Sequence, residues 1–317
     1  MQYQEFRCMN TAIVLAAEGP RCQVAPGFQQ AQRLIEQSER KFTRFSETSE
    51  LMQLNRAAGG WFEASPELFE VVQDALQMAI ETEGLFNPAV LPALRSLGYD
   101  QSMEALAKTG PQTGSIQPPT QAPDFRLIQL DAASHAISLP PSIQIDLGGI
   151  AKGWIAEKAA SVLIQACQAC AVNAGGDMFM IGLPAGQTTW EVGLEDPLDP
   201  ARDLAVLEIT PGALATSTIT KRKWVRGSFR LHHLIDPRTG MSADTDWLSV
   251  TVKAPHAHQA EAYAKAFLIG GNGASSFELF NHPQTAFLAI DREGTLWGSS
   301  NSSEVFHVTG QNILLSA

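Results

Sequence analysis

Apolar positions along the chain fall into two periods. From Pro26 to Phe45 they recur every three or four residues, and Ala31, Leu34, Ile35 and Phe42 share one helical face. Ser49 is placed to cap a short helix over SELMQLNRAA. The clearest helix follows, with Ser65 at the N-cap, Pro66 in the first turn and Gly84 closing it. Its apolar stripe is Leu68, Val71, Val72, Ala75, Leu76 and Ala79. Another helix is predicted from about Ile150 to Cys167, with Ile155, Ala159, Val162, Leu163 and Ala166 in register. Short apolar or alternating runs predict strands at Tyr3–Ala17, FRLIQLD, AISLP, IQIDL, CAVN, MFMIG, TWEVGLED, LAVLEI, RLHHLID and LSVTVKA. A helix over AEAYAKAFLIGG and another near SSFELF come next, then strands TAFLAID and GTLWGSS turned by DREG.

One segment breaks the pattern. Thr109–Pro123 is rich in Pro, Gly, Thr and Gln and reads as an exposed loop or linker. It separates a helical front part, about 26–108, from a strand-rich part, 124–317. The whole, 1–317, reads as a single domain without internal repeats. Strands come in runs rather than alternating with helices. That predicts an α+β fold of mixed and antiparallel sheets with packed helices, not a doubly wound sheet.

Composition sets limits on function. Of 317 residues, 44% are hydrophobic and 17% charged, enough for a sizeable core. The net charge of −11 argues against nucleic-acid binding, which needs a basic face. An anionic ligand would need a local lysine, metal or helix N-terminus. No run has the length of a membrane span. Thr11–Ala17 is too short for such a span, follows acidic Glu5 and lacks the basic-then-apolar layout of an export signal, so a cytoplasmic location is expected as written, or a periplasmic one if a leader was trimmed. Cys167 and Cys170 form a lone C-x-x-C, read as two small residues ending a helix rather than as a zinc or redox site.

Five stretches could carry chemistry. In IDLGGIAKGWIAEKA a strand ends near Asp146, two glycines turn and a helix starts. Its first N–H groups and Lys152 favour a phosphate, although a plain strand–helix turn explains the pattern equally well. Gly175, Gly176 and Asp177 read first as hairpin residues. Lys221, Arg222 and Lys223 read first as a solvated turn, although in so acidic a chain they could also lie near an anionic ligand. His232 and His233 sit on one strand, whose alternation sends them to opposite faces, so only one could act as a base or ligand contact. Glu261 and Lys265, four apart on a helix, would ordinarily be a surface pair contributing roughly 0.2–0.5 kcal/mol.

Taken in order, RFSETSELMQLN, GLFNPAV, IDLGGIAKGW, VNAGGDMFMIG, WEVGLEDP, LATST, HHLIDPRTG and SVTVKAPHAHQAEAYAKAFLIGG resemble the ApbE-type FAD:protein FMN transferase family. The resemblance spans about Met9 to Gly271. It implies a T-fold-like α+β fold and FAD as substrate. FMN would pass to a threonine of a client flavoprotein (flavinylation), with release of AMP. It also implies Mg²⁺ as cofactor. By similarity the flavin and its phosphates would meet Met9, Phe45, Leu85, Phe86, Asn87, Asp146, Lys152 and Ile235, with His233 beside them.

The family's metal positions map onto Gly149, through its carbonyl, and onto Glu261 and Lys265, where an Asp and a Thr are usual. The resemblance thus makes Glu261 and Lys265 catalytic positions with an altered metal site, where Mg²⁺ binding would be weakened or lost, because an ammonium has donors and no acceptor. Further departures are Asn87 and Ala89 in FNPA, Asn10 and Thr218 in place of glycines, and Glu157 in place of an Asp. Two other functions remain compatible: an FAD-binding or carrier protein without catalysis, and an FAD pyrophosphatase giving FMN and AMP.

Overall fold

A computed structural model describes residues 1–110, 121–271, 285–310 and 313–315. The helix expected near SSFELF and most of the expected linker, 111–120, lie outside the described residues. In chain order come β1 (Gln2–Cys8), β2 (Thr11–Glu18), α1 (Arg21–Phe42), α2 (Glu50–Arg56), β3 (Trp61–Glu63) and α3 (Pro66–Glu81). Then follow α4 (Leu91–Ser96), α5 (Met103–Thr109), β4 (Gln129–Asp131), β5 (Ala136–Ser138), α6 (Ala151–Leu163), β6 (Ala169–Ala174) and β7 (Asp177–Ile181). The rest are β8 (Trp190–Glu195), β9 (Asp203–Ile209), β10 (Gly212–Thr218), β11 (Lys223–Arg226), β12 (Phe229–His232), β13 (Trp247–Ala254) and α7 (Ala257–Gly270). The chain closes with β14 (Ala286–Asp291), β15 (Leu296–Gly298), α8 (Ser302–Val305), β16 (His307–Thr309) and β17 (Leu314–Leu315).

Two compact units divide these elements. The first holds Met1–Glu36, Lys152–Thr220 and Thr245–Ala317; the second holds Gln37–Ala151 and Lys221–Asp244. Among the described residues, the first unit is built on a nine-stranded sheet ordered β1-β2-β6-β7-β10-β13-β14-β15-β17. Its pairs are antiparallel except β15 with β17. Helix α7 packs on β7, β10 and β13. Strand β13 is buried along almost its whole length, as a central strand covered on its faces should be. A hydrophobic core in this unit joins Met180, Leu194, Leu207, Ile209, Leu214, Leu288, Ile290 and Phe306.

The sequence predicts one strand over Tyr3–Ala17, and the chain instead forms a hairpin. Cys8 pairs with Thr11, so Met9 and Asn10 make a two-residue turn, with φ of 54° and 55°. Asn suits that left-handed turn. Met does not, and the position costs it about 1–2 kcal/mol. Strand β10 was hidden in the hydroxyl-rich LATST, whose Thr216 and Thr251 hydroxyls bond across strands at 2.8 Å. Thr218 ends that strand without a left-handed φ, so the glycine it replaces is not required here.

The second unit keeps the expected helices. Ser65 Oγ accepts the Leu68 N–H at 3.3 Å and Ser49 Oγ that of Met52 at 3.1 Å. The α3 stripe is buried as read, with Phe69 and Met78 added and Leu76 only half-buried. IQIDL is not a strand. Its backbone is held by one buried side chain: Asn55 Oδ1 accepts the Ile145 N–H at 2.8 Å, and Nδ2 donates to the Ile145 carbonyl at 2.9 Å. In FRLIQLD, Asp124 caps a single 3₁₀ turn over Phe125–Leu127, which leaves only three strand residues. Lys223 opens β11 instead of lying in a solvated turn, and Arg222 turns the chain at φ 47°. Strand β12 stops at His232, so strand alternation does not govern His233.

Candidate active site

Four charged side chains converge inside the first unit. Lys152 stands in the first turn of α6, Asp177 opens β7, and Glu261 and Lys265 are one turn apart on α7. The Lys152 ammonium donates to both Asp177 Oδ2 and Glu261 Oε1. The Lys265 ammonium donates to Glu261 Oε1 at 3.0 Å, and the Gly153 N–H donates to Glu261 Oε2 at 2.7 Å. Glu261 is fully buried, and the other three side chains are at most 12% exposed. The expected surface pair is therefore a buried quartet of two carboxylates and two ammoniums.

Sequence explains why they meet there. Two glycines with φ of 69° and 100° swing Asp177 into place. A Cβ on Gly175 would lie 2.1 Å from Thr11 Oγ1, and one on Gly153 would lie 2.4 Å from the Ala257 carbonyl. Only glycine lets these segments close. Burial pushes the Glu261 carboxyl up, but Lys152, Lys265 and the Gly153 N–H outweigh it and hold it down at about 2. Burial, with Glu261 adding to it, raises the Asp177 carboxyl. Burial lowers the Lys265 ammonium. Asp177 Oδ1 has no hydrogen-bond partner among the described residues. Asp177 was read as a hairpin residue; its GGD placement before a strand was the one available signal for more.

The second unit carries its own charged pair. Arg44 Nε lies 3.3 Å from Asp146 Oδ1, and Nη1 donates to the Tyr99 carbonyl at 2.5 Å. The guanidinium is sandwiched between Phe45 and Tyr99, 4.2 and 4.3 Å from their rings. Asp146 Oδ2 accepts the Gly148 N–H at 3.2 Å, and its own N–H donates to the Pro88 carbonyl at 2.8 Å. Arg44 was missed, since nothing in RFSETSE marks that arginine for burial.

The remaining expected residues divide plainly. Asn87 Oδ1 caps the Ala89 N–H at 2.8 Å, while Leu85 is half-buried. The Phe86 and Ile235 side chains belong to the interior at 5% and 4% exposure, so they offer backbone more than side chain. Gly149 lies just before α6, and His233 is half-buried after β12. His232 Nε2 lies 3.0 Å from the Ala243 carbonyl, and burial holds its pKa below the ordinary imidazole value. Cys167 and Cys170 are free cysteines, and burial pushes both thiols up.

The expected magnesium does not fit. Both oxygens of Glu261 are already engaged, one by two ammoniums. Lys265 supplies no acceptor. Among the described residues no cluster of three or more His, Cys, Asp or Glu could hold a metal ion. At Gly149, Glu261 and Lys265 an octahedral ion wanting oxygen ligands would have to displace two cations.

Comparison with known proteins identifies the fold and the family. The ApbE protein of Thermotoga maritima superposes with a TM-score of 0.80 over 96% of this chain and 99% of its own, at 24% identity. The flavin transferase ApbE of Vibrio cholerae gives 0.76 over 96% and 98%, at 21% identity. The fold is therefore that of the ApbE structures, α+β with mixed and antiparallel sheets. The ApbE family model matches residues 9–288. An FAD:protein FMN transferase of Treponema pallidum is 30% identical over 290 residues, covering 86% of this chain and 78% of that protein. One from Salmonella typhimurium is 25% identical, covering 79% and 72%. The chain belongs to the ApbE family. No helix among the described residues is long and apolar enough to cross a membrane.

Proposed function

We propose that the chain is an FAD:protein FMN transferase that moves FMN from FAD to a threonine of a client flavoprotein. The observation that carries this, beside family membership, is the pair of ammoniums at the start of α6 and on α7, in a chain otherwise strongly acidic. A diphosphate needs positive charge to bind and to stabilise the charge that develops in transfer. Lys152 and Lys265 supply it, and Asp177 and Glu261 keep both ammoniums in fixed positions.

Chemically, the acceptor hydroxyl oxygen bonds to the FMN phosphorus and the phosphoanhydride bond to AMP breaks. The hydroxyl proton passes to a base, the role given to His233. Asp146, fixed by Arg44 and Gly148, with Phe45, Met9 and the Leu85–Asn87 backbone, is assigned to the flavin nucleotide. Ile235 contributes through its backbone. Because its oxygens are taken by Lys152, Lys265 and Gly153, Glu261 acts by positioning rather than by touching phosphate.

The test is incubation of the protein with FAD and a flavoprotein bearing an acceptor threonine, following AMP by chromatography and covalent flavin by in-gel fluorescence. AMP with labelled client supports transfer. AMP alone overturns transfer in favour of pyrophosphatase activity, and bound FAD with no AMP leaves a carrier.

A further inference from the structure

Two buried carboxylates turned toward one point, Asp177 and Glu261, would by themselves attract a hard divalent cation. Here that point is filled. Lys152 Nζ bridges the two carboxylates and Lys265 Nζ closes on Glu261 at 3.0 Å. A divalent ion entering the quartet would meet two positive charges in a low-dielectric interior, where such repulsion is poorly screened. The ammoniums are also held by geometry. Lys265 is one helical turn from its partner on α7, and Lys152 is anchored in the first turn of α6 beside the Gly153 N–H that orients Glu261.

From this we infer that the quartet is a built-in cation site: the Lys152 and Lys265 ammoniums together stand where a divalent ion would, and the protein binds its flavin dinucleotide without metal. The part concerning FAD rests on the proposed function; the part concerning the metal does not.

Two measurements separate them. The first titrates Mn²⁺ alone into the purified full chain and follows free Mn²⁺ by electron paramagnetic resonance. No site tighter than about 1 mM is expected. Lys265→Thr exchanges an ammonium for a hydroxyl acceptor and is expected to tighten Mn²⁺ binding by about tenfold or more. The second measures FAD affinity by flavin fluorescence in EDTA and again in excess Mg²⁺, with agreement expected within about twofold. A submillimolar Mn²⁺ site in the unaltered chain overturns the inference, as does an FAD affinity at least about tenfold higher with Mg²⁺. No FAD binding under either condition overturns the proposed function instead, and the Mn²⁺ titration then still decides whether the quartet excludes metal.

Discussion

Replacing Glu261 by Gln tests whether the quartet is held by charge. The amide keeps the shape and an oxygen for the Gly153 N–H, but it removes the negative charge shared by Lys152 and Lys265. Both ammoniums would then face Asp177 alone, in a buried setting. Removing one partner from a buried ion pair typically costs about 3–5 kcal/mol. Proton linkage gives a second measure. The Glu261 carboxyl is held at about 2 against an ordinary 4.5, a difference of about 2.5 units, or about 3 kcal/mol.

The sign follows from the direction of the shift. A carboxyl depressed in the folded state adds stability that is fully present above pH 4.5 and is lost as pH falls toward about 2. The raised Asp177 carboxyl and the lowered Lys265 ammonium oppose it, so the whole quartet stabilises by less than Glu261 does alone. Urea unfolding, followed by circular dichroism at pH 7 and at steps down to pH 3, reads both quantities. The expected result is a loss of about 3 kcal/mol at pH 7 that narrows steadily below pH 4.5. A loss under about 1 kcal/mol at pH 7, or one that stays constant with pH, would refute charge as the holding force.

Three further outcomes are expected. Gly153→Ala places a methyl 2.4 Å from the Ala257 carbonyl, so it should cost about 1–3 kcal/mol in urea unfolding and weaken FAD binding as Glu261 is displaced. Asn55→Ala leaves the Ile145 N–H and C=O without partners and should cost about 1–3 kcal/mol; because Asp146 is the next residue, FAD affinity measured by fluorescence should fall too. Met9→Gly removes a side chain from a turn at φ 54° and should leave melting temperature unchanged or higher, while weakening FAD binding if Met9 is retained for flavin contact.

Periodicity and capping revealed most of the helices because those signals are local. Ser49 and Ser65 cap where the pattern placed them. What stayed hidden depends on partners distant in sequence. IQIDL reads as a strand until Asn55, ninety residues earlier, takes its hydrogen bonds. LATST looks too hydroxyl-rich for a central strand until Thr251 answers Thr216. The site shows the same division. Lys152, Glu261 and Lys265 were legible as positions, but their mutual contacts were not, because Lys152 and Glu261 lie 109 residues apart. Asp177 was passed over because two glycines and an Asp are sufficient for a turn. Arg44 carried no signal, since burial of a guanidinium between two rings is a property of the folded unit.

The placement of the quartet also follows from how α6 and α7 meet. A helix leaves its first N–H groups without internal partners, and its dipole favours a carboxylate there. Each of these helices receives that carboxylate from the other. Glu261 of α7 accepts the Gly153 N–H in the first turn of α6, and Glu157 of α6 accepts the Ala257 N–H at the start of α7 at 2.8 Å. The spacing is the same on both sides, Gly153 to Glu157 and Ala257 to Glu261, four residues each. The crossing is thus reciprocal, and Gly153 is what lets the two backbones come close enough for it. Lys265 is set four residues beyond Glu261, so its ammonium inherits the position of that contact rather than of a loop. Loss of activity on changing Glu261 would therefore not by itself establish a chemical role, because the same change unfastens one end of the crossing. Glu157→Gln is the matching control: it loosens the other end without touching Lys152 or Lys265. Stability should fall in Glu157→Gln and Glu261→Gln alike, while FAD affinity should fall only in Glu261→Gln. Equal losses of FAD affinity in the two would mean that the helix crossing, and not the ammonium pair, governs the site.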